Sequence, residues 1–104
     1  MFFSEKEQTI MKSFDNMIEY YGYNQLYKIK MKDDTIIIAA FDTCYETENN
    51  KDEEDPEYEE FMGYAFEIKK IIYVEKQYGD LYKEGKFFEI SYHNYPKEIV
   101  PLIY

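Results

Sequence analysis

Between Ser4 and Gly22 the apolar residues Ile10, Met11, Phe14, Met17, Ile18 and Tyr21 recur three and four residues apart. That spacing puts them on one stripe of a helix. Ser4 followed by Glu7 fits a capping box, and Gly22 can take the left-handed conformation that ends a helix. The pattern predicts a helix from about Glu5 to Tyr21 whose stripe must find a core. After Gly22 the period changes to two. Tyr27, Ile29 and Met31 alternate with Lys28, Lys30 and Lys32, which reads as a half-buried strand with a lysine face. Asp33-Asp34 is a plausible turn. Thr35 to Tyr45 is rich in β-branched and aromatic residues, with a continuous apolar centre from Ile36 to Phe41 that suits a central strand.

Residues 46 to 57 contain no apolar residue and read as a loop. From about Glu60 to Val74 the pattern predicts a third strand, interrupted by a break or bulge near Lys69-Lys70. Gly79-Asp80 and Glu84-Gly85 look like turns. A last strand begins near Lys86 and carries Phe88, Ile90 and Tyr92. Lys97 to Val100, between Pro96 and Pro101, reads as one helical turn.

The chain of 104 residues fits one domain. The expected fold is α+β: one N-terminal helix packed on an antiparallel sheet of about four strands, with the acidic loop between the second and third. One helix cannot cover both faces of such a sheet. The other face keeps its Tyr and Lys residues in water or meets a partner. A hydrophobic content of 45% excludes a wholly disordered chain. The run from Ile36 to Phe41 is far too short to span a bilayer. The N-terminus lacks the basic start and apolar stretch of a secretory signal, so a cytoplasmic location is expected.

Charge is the other strong feature. The net charge is −10, and residues 42 to 67 hold eleven acids against one lysine, Lys51. The remaining residues balance, so the whole excess sits in one quarter of the chain. Such a field repels nucleic acid and anionic membranes and attracts basic surfaces. All twelve basic residues are lysine, so bidentate recognition of phosphate by arginine is excluded. Residues 46 to 60 carry nine acids. In an extended chain that is one net charge every ~6 Å, sparser than the one per ~1.7 Å of duplex DNA.

Catalytic and metal chemistry find little support. Cys44 and His93 are single residues of their types, and any chain with one of each offers that pairing. Asp42 lies near Cys44 and would share its strand face. Cys44 has no helix N-terminus in the pattern to activate it and reads as a small buried hydrophobe. One Cys and one His cannot complete a tetrahedral zinc site. Asp52 to Glu60 lacks the alternating ligands and central glycine of an EF-hand loop. Only four glycines are present, and none forms a phosphate-binding loop. No enzyme, metal or cofactor is therefore expected.

By size and composition the chain resembles two broad groups. One is the small acidic inhibitors of phage and mobile elements, including DNA mimics and anti-CRISPR proteins. The other is the bacterial immunity proteins that block a basic toxin. Both resemblances imply a binding protein, without direct nucleic-acid or membrane contact, that occupies a basic protein surface such as that of a nuclease. The inhibitor of a nucleic-acid-processing enzyme is the first expectation; the immunity protein and an accessory domain with a merely solvated loop are the alternatives. The residues expected to touch the partner are Glu46, Glu48, Asp52, Glu53, Glu54, Asp55, Glu57, Glu59 and Glu60, flanked by Tyr45 and Tyr58.

Overall fold

A computed structural model describes residues 2–75, 77, 79 and 82–103. Helix α1 spans Glu5–Tyr21. Five strands follow: β1 Leu26–Lys30, β2 Ile36–Glu48, β3 Glu60–Tyr73, β4 Phe87–Ile90 and β5 Glu98–Pro101. They form one antiparallel sheet in the order β4-β3-β2-β1-β5.

The helix ends where its sequence says it should. Ser4 Oγ accepts a hydrogen bond from Glu7 N at 3.1 Å. Gly22 sits at φ 78° and donates its N–H to Ile18 O. Met11, Phe14 and Ile18 are fully buried, with Ile10 and Met17 packed at the margin. They meet Tyr27 and Ile29 of β1, Ile37, Ala39 and Phe41 of β2, and Tyr64, Phe66 and Ile68 of β3. Phe14 lies edge-on to Tyr64 with ring centroids 4.9 Å apart.

The predicted break in β3 is a bulge. Ile38 pairs with Lys70 and Ala39 with Ile68, so Lys69 has no opposite residue. A second bulge leaves out Ile72, and a third, on β2, leaves out Asp42. Bulges bend a strand and sharpen its twist, which lets two long strands wrap one short helix. The Asp33-Asp34 turn is present, with Asp34 at φ 70°. Gly85, at φ 86°, closes the turn into β4 by donating to Ile68 O. Asp80 of the expected Gly79-Asp80 turn lies outside the described residues.

Two expectations need correction. Lys97 to Val100 is not helical: β5 pairs along β1, Lys28 opposite Val100 and Lys30 opposite Glu98. The sheet therefore has five strands. Pro96 is tolerated because it lies just before the strand, and Pro101 because it sits at the end of an edge strand. The second correction concerns residues 46 to 57. Glu46, Thr47 and Glu48 belong to β2, so the loop starts later than its composition suggests. No helix among the described residues is long and apolar enough to cross a membrane.

Candidate functional site

The two central strands outrun their neighbours. β1 pairs with β2 only as far as Ala40, and β4 pairs with β3 only as far as Tyr64. Thr43–Glu48 and Glu60–Gly63 therefore continue as a two-stranded ribbon. Alternation divides its side chains. Glu46, Glu48 and Glu60 lie on the side of α1, while Tyr45, Thr47, Phe61 and Gly63 lie on the other.

The ribbon's tip is folded by its own polar groups. Asn49 Nδ2 donates to Glu57 O at 2.7 Å, and Asn49 Oδ1 accepts from Glu59 N at 3.3 Å. Asp55 Oδ1 accepts from Glu57 N at 2.8 Å. Tyr58 N donates to Asp55 O, and Lys51 Nζ lies 2.9 Å from Glu57 Oε2. These bonds brace the acidic loop expected between the second and third strands. Asp52, Glu53, Glu54, Asp55 and Glu57 are exposed on it.

Not every expected contact residue points outward. Glu48 and Glu60 stand directly opposite each other, a like-charge pair that costs stability. Tyr58 Oη lies 3.0 Å from a carboxylate oxygen of each, and its single proton is shared between the two acceptors. Burial and these two carboxylates push the Tyr58 hydroxyl pKa up. Glu59 turns the other way. It accepts from the Tyr92 hydroxyl and lies 3.0 Å from His93 Nε2, tying the loop end of the ribbon to the turn after β4. Tyr45 donates to Glu89 across Gly63. A Cβ at Gly63 would come within 2.6 Å of Glu89 Oε1 and 2.8 Å of the Tyr45 ring, so glycine is what lets this bridge lie flat. Six of the nine acids (Glu48, Asp52, Glu53, Glu54, Glu57 and Glu60) thus crowd the tip and its base, with Asp55 serving the turn and Glu46 one step back.

Because the Glu48–Glu60 pair opposes folding, Glu60→Gln is expected to raise stability by less than about 1 kcal/mol, read as a higher urea midpoint. A lower midpoint would mean that the Tyr58 bridge more than offsets the repulsion.

Cys44 departs from its expected place. It is exposed, not buried. Asp42 does not share its face in the simple way expected, since the bulge at Asp42 resets the alternation. Partial desolvation of the thiol raises its pKa, and the nearby carboxylates of Asp15 and Glu19 add to the rise. His93 is engaged with Glu59 and lies edge-on to Phe61, ring centroids 4.7 Å apart. The thiol and the imidazole thus have separate surroundings. Asp15 and Glu19, one helical turn apart, also bring negative charge to the α1 side of the ribbon. Among the described residues, no three His, Cys, Asp or Glu side chains converge as a metal site requires.

No curated protein and no solved structure matches this chain. A family model does: "Cognate immunity protein YxxD" matches residues 9–102, which takes in nearly all of α1 and every strand of the sheet. With nearly its whole length matched, this chain belongs to the YxxD family of cognate immunity proteins.

Proposed function

We propose that this protein neutralises a cognate toxin by covering a basic surface of that toxin with the acidic ribbon. The family match over residues 9–102 carries this reading. It favours the immunity protein over the inhibitor of a host or phage nucleic-acid enzyme, which composition alone had ranked first. The ribbon supports the choice of surface. It carries the chain's charge excess on a projecting and internally braced element, so little chain entropy is lost on binding. The like-charged Glu48–Glu60 pair gains most when a lysine or arginine of the partner arrives between them. The protein acts by occupancy, without chemistry of its own, and meets the toxin in the cytoplasm. A nuclease toxin, whose substrate groove is basic, is the partner that this charge fits best.

The test has two arms. Co-expression with the cognate toxin should restore growth; continued killing despite a folded, expressed protein would sink the immunity reading. The ribbon is tested by a variant carrying Glu48→Gln, Asp52→Asn, Glu53→Gln, Glu57→Gln and Glu60→Gln. Its association rate at low salt should fall about tenfold or more, and the salt dependence should flatten. An unchanged rate at low salt would leave the family reading standing and move the interface elsewhere.

A further inference from the structure

We propose that the sheet face turned away from α1 joins two copies of this chain in a weak antiparallel dimer. The strand register lays this face out in rows. The first holds Glu98, Lys30, Ile36 and Tyr73, and the second Val100, Lys28, Ile38 and Lys70. The third holds Leu26, Ala40, Glu67 and Phe87, and the fourth Thr43, Ala65 and Glu89. All but Ala40, which is 3% exposed, are at least partly open to solvent. Phe87 is 58% exposed, Val100 52% and Tyr73 48%. Phe87 and Val100 lie on the two edge strands, with three strands between them, so it is the charge pattern of this face, and not one continuous apolar patch, that points to an occupant.

The charges decide which occupant fits. Lys28, Lys30 and Lys70 have no carboxylate within ion-pair distance among the described residues. They stand towards the end of the face far from the ribbon, whereas Glu67, which Lys69 approaches to 3.1 Å, and Glu89, which accepts from Tyr45, stand towards the ribbon. A surface positive at one end and negative at the other complements its own copy turned end for end. A two-fold axis running across the strands, between the second and third rows, sets Lys70 of each copy over Glu67 of the other and Ile38 over Ala40. Such an isologous contact closes on itself. It also sends the two acidic ribbons to opposite ends, which keeps the charge excesses apart and both ribbons free. A parallel arrangement would set lysine on lysine and ribbon beside ribbon.

Strands about 4.8 Å apart and rows about 6.8 Å apart give this face a projected area on the order of 500 Å². That is below the ~800 Å² per partner of a standard interface, so the dimer should dissociate on dilution. The test is sedimentation of the whole chain over a dilution series. The mass should move from that of two chains towards one. Lys70→Glu alone and Glu67→Lys alone should each give monomer at every concentration, and the double variant should restore the dimer. Ile38→Asp should also give monomer while keeping the wild-type circular dichroism. A wild type that is monomeric throughout overturns the proposal, and so does a dimer unchanged by both single charge reversals. A monomer whose toxin binding is lost with Lys70→Glu would assign this face to the toxin instead. Toxin neutralisation by a dimer-breaking variant is expected to persist, so the two readings fail separately.

Discussion

Glu7→Ala is expected to destabilise the protein by about 3 kcal/mol, from the loss of two hydrogen bonds to a charged acceptor. Glu7 has no exposed surface, although it belongs to the polar part of the helical pattern. Its Oε1 accepts from Phe3 N at 2.8 Å and its Oε2 from Met62 N at 2.7 Å. The second bond spans 55 residues. β4 stops at Tyr64, so the N–H of Met62 faces an edge with no strand beside it. The carboxylate takes the place of that missing strand. The positive end of the helix dipole favours a negative charge there. Alanine would leave both N–H groups without an acceptor, one of them buried, and would open a cavity as well. Glu7→Gln keeps the volume and one acceptor oxygen, so about half the loss is expected. Equilibrium unfolding in urea measures both. A loss below about 1 kcal/mol for the alanine variant would mean that water or a shifted backbone satisfies Met62 N.

The second large effect is alkaline unfolding. Thirteen tyrosines are present, and several hydroxyls face burial or carboxylates. Burial raises the Tyr27 hydroxyl to about 12, with the neighbouring Tyr21 adding to the shift. Burial and the bond to Glu89 raise Tyr45 to about 12. Burial and the 2.6 Å bond to Asp15 push Tyr64 higher still. A tyrosine is neutral when protonated, and in the unfolded chain it titrates near 10. The folded state therefore holds these protons more tightly than the unfolded one. Their contribution is complete below pH ~10 and is lost as pH rises from there through about 12. The urea midpoint should fall steeply over that window. Absorbance at 295 nm should show one tyrosine class titrating freely and a second appearing only with unfolding. If all thirteen titrate together near 10 in a chain that stays folded, the idea fails. Tyr27→Phe is the control. Its hydroxyl is buried without a hydrogen-bond partner among the described groups. Its removal should stabilise the fold by about 1 kcal/mol at neutral pH and make the alkaline fall shallower.

Local patterns carried far where neighbours in sequence are also neighbours in space. The helix and its caps, the Asp33-Asp34 turn, β1 to β3 and the bulge at Lys69 all follow from period and turn chemistry. β5 did not follow, because Lys97 to Val100 suits a helical turn or an edge strand equally. Its partner, β1, lies some 70 residues earlier in the chain. Cys44 was misplaced for a related reason. A period-two pattern shows which residues share a face, but not which of them the packed helix covers.

The candidate site divides the same way. That the negative excess falls in residues 42 to 67 is a property of composition, and no fold could move it elsewhere in the chain. How that charge is presented depended on strand lengths. β2 and β3 outrun β1 and β4, so Glu46, Glu48 and Glu60 ride on a ribbon and the other acids on the loop that closes it. Pairing then set Glu48 against Glu60 under Tyr58 and turned Glu59 inward to Tyr92 and His93. The sequence by itself determined the helix, the alternating strands and the location of the charge, because these depend on residues a few positions apart. The tertiary structure decided the fifth strand, the burial of Glu7 against Met62 and the bare lysine-bearing face, because each is a contact between distant segments that no local period encodes.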